Sequence, residues 1–251
     1  MSARYDCTDP AQRSAGVAEA TAALGKGQLA VLPTDTVYGV AADAFSPVAV
    51  AALLAAKGRG RQAPPPVLVG SVRAALALAE DVSAPAKDLI DEFWPGALTL
   101  VFRASPTLMW DLGDTRGTVA LRMPLHAVAL DVLRQTGPMA VSSANRHGQP
   151  AATTSYEAEQ QLGETVSVYL DGGPCSDNIP STILDLTGSI PKVLRSGAVP
   201  VDRLRGTCAV IGEDEHYPEP VGDVEDDKPA EPHPLERGLA DPATGEPPAG
   251  A

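Results

Sequence analysis

The sequence predicts an α/β protein, a single domain built on a twisted mixed β-sheet flanked by helices. Two observations carry that expectation. Apolar runs of strand length alternate with longer stretches that open on a helix cap, the interleaved order that lays helices against a sheet. The 251 residues, 44% of them hydrophobic, suffice for one sizeable core. Aromatic residues make up only 4%, so that core is mostly Ala, Val and Leu.

The elements follow in order. Asp9-Pro10 opens a helix that stops at Gly25-Lys26-Gly27. Residues 28–33 and 37–42 read as strands. Ser46-Pro47 starts a second helix, with Ser as N-cap and Pro in the first turn, and Lys57-Gly58 ends it. Residues 67–69 form a short strand. Helices begin near Ser71 and at Ser83, the second ending at Trp94-Pro95-Gly96. Residues 97–102 and 118–122 are strands, 125–135 a helix, 139–142 a buried strand and 154–162 a helix. Strands at 166–170, 182–186 and 192–194 complete the body. No internal repeat is visible.

The net charge of −13 is unevenly spread. Residues 1–205 hold 17 basic and 20 acidic residues, a net of −3, whereas residues 206–251 hold 2 and 12, a net of −10. That last stretch has eight prolines and almost no periodic apolar residues, so it is expected to be a disordered acidic tail on a domain spanning 10–205. Global acidity disfavours non-specific nucleic-acid binding, but a nearly neutral body allows a local basic cleft. No apolar run reaches the ~20 residues of a membrane span. The polar N-terminus lacks the order of a signal peptide, so the expected location is cytoplasmic, away from membranes. Cys7, Cys175 and Cys208 lie far apart without ligand spacing and are expected to be isolated thiols; no protein-bound metal is expected.

Polar residues cluster just after apolar strands, where loops on a rigid sheet carry function. Leu32-Pro-Thr-Asp-Thr-Val-Tyr-Gly39 places two threonines and an aspartate there, either a turn or a seat for a small polar substrate. Lys57-Gly-Arg59-Gly-Arg61 sits at a helix C-terminus, where cations favour the dipole or clamp phosphate. No Walker or dinucleotide-binding glycine pattern is present. Ala140-Val-Ser-Ser-Ala-Asn145 follows a buried strand with small polar groups, and no nearby His/Asp arrangement makes Ser142 or Ser143 a hydrolase nucleophile. Arg122 and Arg195 each stand at a strand end beside Pro or Gly, as lone surface cations or as part of an anion site.

Taken together, these segments resemble the YrdC family, the threonylcarbamoyl-AMP synthases. The matching pieces are LPTDTVYG (32–39), the Lys57-x-Arg59 pair, FWPGALTL (93–100), VALRMP (119–124), VSSAN (141–145), PSTILD (180–185) and LRSG (194–197), in family order. The tail is too short and polar to be the extra domain of the family's longer form. The resemblance implies that L-threonine, bicarbonate and ATP, with Mg²⁺ on the nucleotide, give threonylcarbamoyl-AMP and pyrophosphate. It also implies a downstream tRNA threonylcarbamoyl transferase complex that takes the product, and a tRNA contact. By resemblance Lys57, Arg59, Ser143 and Asn145 are the catalytic group. Lys57, Arg59, Thr118, Asn145, Thr153 and Arg195 bind ATP. Thr36, Arg122, Ser143 and Ser181 bind threonine. The chain departs from the family after Arg59, where the usual Pro-x-x-Asn-Pro-Leu-x-x-His is replaced by residues 60–70, GRQAPPPVLVG. Arg61 and Gln62 are the candidates to replace the missing Asn and His. The alternative function is a non-catalytic module that holds structured RNA on the concave face.

Overall fold

The computed structural model describes residues 2–175 and 178–216. It begins with β1 (Ala3–Asp6), α1 (Pro10–Gly25), β2 (Ala30–Leu32), β3 (Gly39–Asp43), α2 (Pro47–Lys57), β4 (Val67–Leu68), α3 (Val72–Leu78) and α4 (Ala84–Phe93). It continues through β5 (Leu98–Arg103), β6 (Thr118–Arg122), α5 (Ala127–Thr136), β7 (Met139–Ser143) and α6 (Ser155–Leu162). The last elements are β8 (Val168–Asp171), β9 (Thr182–Asp185), β10 (Lys192–Arg195) and α7 (Val201–Arg205).

Local chemistry sets the helix starts. Asp9, Ser46, Ser71, Ser83 and Thr154 each accept backbone N–H bonds at the mouths of α1, α2, α3, α4 and α6. Each such cap contributes about 1 kcal/mol. Gly58 ends α2 in the left-handed region, at φ 66°, which a residue with a Cβ adopts only at a cost.

The strands form one mixed sheet in the order β1-β8-β2-β3-β7-β4-β6-β5-β9-β10. The pairs β1–β8, β2–β8, β4–β6 and β5–β9 are parallel; β2–β3, β3–β7, β4–β7, β5–β6 and β9–β10 are antiparallel. Side chains alternate faces with the pleat. Leu32, Ala41, Val141 and Leu170 point to a cluster completed by Leu24 of α1 and Val132 of α5. Val31, Val40, Ala140, Leu100, Leu121 and Leu184 point the other way, against Leu53 of α2, Leu89 of α4 and Leu162 of α6. Burying each such side chain stabilises the fold by roughly 1.5–3 kcal/mol.

The two faces are covered unequally. On β5, β6 and β9 the residues out of phase with the core are Thr99, Val101, Ala120, Arg122 and Ile183, and none belongs to the cluster that α1 and α5 complete. The face of the sheet left open there carries the site.

The packed body reaches beyond 10–205 on both sides. Arg4 and its neighbours in β1 pair with β8 at the sheet edge, which the polar N-terminal sequence did not suggest. At the other end, Val210 and Ile211 are buried, and Ile211 bridges to Lys192 beside β10. Val193 N donates to Ile211 O at 2.9 Å, and Arg205 reaches Glu215 at 2.6 Å. Two apolar residues suffice to seat this acidic segment, so the expected tail boundary at 206 moves outward. Residues 217–251 of that expected tail lie outside the described residues.

Among the described residues no helix is long and apolar enough to cross a membrane, and Cys7, Cys175 and Cys208 are free thiols.

Candidate functional site

The loop between β2 and β3 builds the first wall. Thr34 Oγ1 donates to Val37 O at 2.6 Å and accepts the Thr36 N–H at 3.2 Å. Its one proton is therefore committed, and in the 3.1 Å contact between the two hydroxyls Thr36 is the donor. Thr36 Oγ1 in turn accepts from Arg122 Nη1 at 2.9 Å. Arg122 is buried and holds two further acceptors, Asp35 Oδ1 at 2.6 Å and Gly96 O at 2.9 Å. Burial pulls the proton affinity of this guanidinium down and the Asp35 charge pushes it back up. Three of its five N–H groups are used, which leaves two for a ligand.

Lys57 builds the second wall. Its side chain is buried, and Nζ donates to Ser143 O, to Asn145 O at 2.7 Å and to Asn145 Oδ1 at 3.1 Å. Ser143 Oγ donates to Asn145 Oδ1 at 2.5 Å, and Asn145 Nδ2 donates to Arg146 O at 3.0 Å and Gln149 O at 2.6 Å. The three ammonium protons are thus spent on the turn after β7. Lys57 acts on the cleft from behind, by its charge and by shaping that turn, rather than as the free phosphate clamp its sequence position suggests. Burial, and then the neighbouring Arg59, lower its pKa to about 8.

The third wall joins β5, β9 and β10. Ser181 Oγ lies 2.8 Å from Thr99 Oγ1, and Arg195 donates to Ser181 O at 2.6 Å. Gly197 lets β10 run this close: a Cβ there would sit 2.6 Å from both Ser181 C and Thr182 N. Arg195 is held below its ordinary pKa by burial first, then by the charges of Arg122 and Arg59. Three guanidiniums around one opening give it the positive charge that suits an anion.

These walls enclose a cleft of about 430 Å³. Thr36, Arg59, Arg122, Ser143, Asn145, Ser181 and Arg195 line it, and Lys57 stands behind Ser143 and Asn145. Thr118 and Thr153 do not line it. Thr118 shares the face of β6 with Arg122 but starts the strand, and it donates to Thr115 O at 2.8 Å. Thr153 binds the Glu157 carboxylate through its N–H at 2.7 Å and its hydroxyl at 2.9 Å, completing the start of α6.

Neither candidate in the divergent loop reaches the cleft. Arg61 forms a two-pronged pair with Asp111, both bonds 2.8 Å, and Gln62 is exposed; Pro64 and Pro66 line the cleft instead. Two residues that sequence reasoning left unassigned belong to the site. Asp35, which anchors Arg122, sits in plain view between Thr34 and Thr36. Thr99, which braces Ser181, could be found only from the strand alternation of residues 98–103. Among the described residues there is no group of three or more His, Cys, Asp or Glu able to hold a metal ion.

Comparison with known proteins adds to this geometry. The Sua5/YciO/YrdC family model, described as "Telomere recombination", matches residues 22–197. The chain is 54% identical over 210 residues to a Mycobacterium tuberculosis protein named "Putative threonylcarbamoyl-AMP synthase", covering 84% of this chain and 97% of that one. It is 36% identical over 203 residues to the Bacillus subtilis protein named threonylcarbamoyl-AMP synthase, covering 78% of this chain and 56% of that one. The crystal structure of Pyrococcus abyssi Sua5 complexed with L-threonine superposes with a TM-score of 0.75 at 30% identity, over 84% of this chain and 62% of that one.

Proposed function

The chain belongs to the Sua5/YciO/YrdC family, and on that premise we propose that its cleft makes threonylcarbamoyl-AMP from L-threonine, bicarbonate and ATP. The observation that carries this reading is the convergence of Arg59, Arg122 and Arg195 on a cleft backed by the Lys57–Ser143–Asn145 network. Carbamate and adenylate chemistry needs charge neutralisation and positioning, and no protein nucleophile. This cleft supplies both.

The residues divide the work by their free valences. The two N–H groups left on Arg122 take the threonine carboxylate. Thr36 and Ser143 have their protons committed, so their oxygens accept from the threonine ammonium and hydroxyl. Ser181, held by Thr99, closes that side. The threonine ammonium gives one proton to bicarbonate, which dehydrates to CO₂ and water; the free amine then adds to that CO₂, forming a C–N bond, and loses a second proton to solvent to leave a carbamate. A carbamate oxygen then attacks the α-phosphorus, the bond to the β-phosphate bridging oxygen breaks, and pyrophosphate leaves with the electron pair. Arg59 and Arg195 face the phosphates, Asn145 lines the cleft beside Ser143, and Lys57 stabilises charge from behind. Mg²⁺ would enter with ATP and supply further charge neutralisation at its phosphates. Thr118, on the same face of β6, reaches only an extended nucleotide, and Thr153 supports α6. The product passes to a downstream transferase complex that modifies tRNA, in the cytoplasm. The RNA-binding alternative is not favoured, because Arg122 is buried and bonded to Asp35, and the relatives that the chain matches are named as synthases.

The test is pyrophosphate release from MgATP, with and without threonine and bicarbonate. Release is expected only with both, and Arg59→Ala is expected to reduce it by at least about tenfold, a loss of one charge-assisted contact. Release that ignores threonine would overturn the reading.

A further inference from the structure

The three arginines of the cleft are restrained very differently. Arg122 is held by Asp35, Thr36 and Gly96, and Arg195 by Ser181. Arg59 has a single side-chain partner among the described residues: its Nε donates to His147 Nδ1 at 3.4 Å. The bond is long, so it restrains rather than locks. We propose that His147 is a positioning residue that sets the orientation of the Arg59 fork; this rests on the reading of Arg59 as a phosphate ligand.

The surroundings make His147 a fixed reference point. Its own N–H donates to Lys57 O at 2.8 Å, which ties the loop after β7 to the end of α2. That loop is braced from within by Asn145 Nδ2 on Arg146 O and Gln149 O, and from α6 by Gln161 Oε1, which accepts the Arg146 N–H at 3.0 Å. On the other side, Arg59 N donates to Leu54 O at 2.9 Å, so the backbone that carries the guanidinium is anchored to α2. Both ends of the contact are therefore set by the fold.

The chemistry follows from which nitrogen is used. To accept from Arg59, His147 Nδ1 carries no proton, so the ring is neutral with its proton on Nε2. With Nε engaged, Arg59 turns its two terminal nitrogens away from the ring as a free two-pronged edge, the geometry that grips a phosphate. A neutral imidazole does this without neutralising the guanidinium, whereas the carboxylate at Arg122 offsets part of that charge. His147 thus orients the nucleotide-facing cation and leaves its full charge available.

The test is a double-mutant cycle on pyrophosphate release. His147→Ala is expected to raise KM for ATP about fivefold to tenfold with KM for threonine unchanged. His147→Gln, whose amide oxygen accepts the same N–H, is expected to recover most of that loss. In an Arg59→Ala background, His147→Ala is expected to cost less than twofold. An equal loss with and without Arg59, or no loss on His147→Ala while Arg59→Ala is impaired, overturns the proposal. An Arg59→Ala enzyme with normal KM for ATP overturns instead the reading of Arg59 on which it rests. His147 is exposed, and unchanged melting of the variants separates these outcomes from misfolding.

Discussion

Lys57→Met is expected to lower turnover by about a hundredfold or more, the scale seen when one preorganised charge-stabilising donor is removed from a site. The reason is double. The variant loses the buried positive charge behind the cleft, and it leaves Ser143 O and Asn145 O facing inward without the ammonium that holds them. The turn that presents Ser143 and Asn145 then loses its shape as well as its field. A Lys57→Met enzyme that keeps normal turnover would refute this account.

The same lysine sets a pH dependence. Its pKa is lowered to about 8, so the charged form predominates below that value and turnover is expected to fall as pH rises through it. Folding responds in the opposite sense. The unfolded chain keeps this proton until about pH 10.4, whereas the folded chain releases it near 8. Between those values the unfolded state binds more protons, and stability from this group rises with pH. ATP brings negative charge to the cleft and raises the lysine pKa again, so ATP binding near pH 8.5 is expected to take up protons. Calorimetry in two buffers of different ionisation enthalpy reads that uptake, and Lys57→Met should abolish it.

Asp35→Ala is expected to be the most destabilising single change at the site. It strips the buried Arg122 guanidinium of its counter-ion, with side-chain exposures of 7% for Arg122 and 14% for Asp35. Breaking a buried pair from one side costs about 3–5 kcal/mol, because the remaining charge stays desolvated. The Leu125 N–H, which also bonds Asp35 Oδ1 at 2.9 Å, loses its partner too. Urea unfolding measures the loss directly. Asp35→Asn keeps an oxygen acceptor for both donors and is expected to recover part of it, while still raising KM for threonine through a misaligned Arg122. Equal stability of the alanine variant and wild type would show that Arg122 is solvated by other means.

The legible part of the fold was the part governed by local rules. Ser46-Pro47 announced α2, and Gly58 ended it, because caps and left-handed turns are written in adjacent residues. Alternation of apolar runs reached most strands within two residues of their observed ends. β1 escaped because a four-residue edge strand is half exposed and looks polar. α7 escaped because five residues hold too little of a helical period. Ile211 was hidden by the acidic residues around it, although its burial and two backbone hydrogen bonds, to Val193 N–H and Pro191 O, fix its place. At the site, the motif residues reported their own neighbourhoods but not their distant partners. Arg61 reads as a phosphate ligand beside Arg59, yet Asp111, fifty positions away, claims it. The commitment of all three Lys57 protons to the turn after β7 is likewise a long-range fact, invisible in either segment alone.

The uneven cover of the sheet has a consequence for where the molecule breathes. β2, β3 and β8 are sandwiched between two apolar layers, whereas β5, β6 and β9 have such a layer on one side only. Strands packed on a single face open locally at lower free energy. Substrates laid into the cleft therefore serve as the missing second layer. Amide hydrogens of β5, β6 and β9 should exchange faster than those of β2, β3 and β8 in the free protein, and slow selectively when nucleotide and threonine bind. On the proposed reading the substrates complete a layer of the domain itself, so occupancy of the cleft and rigidity of these three strands are expected to be one equilibrium.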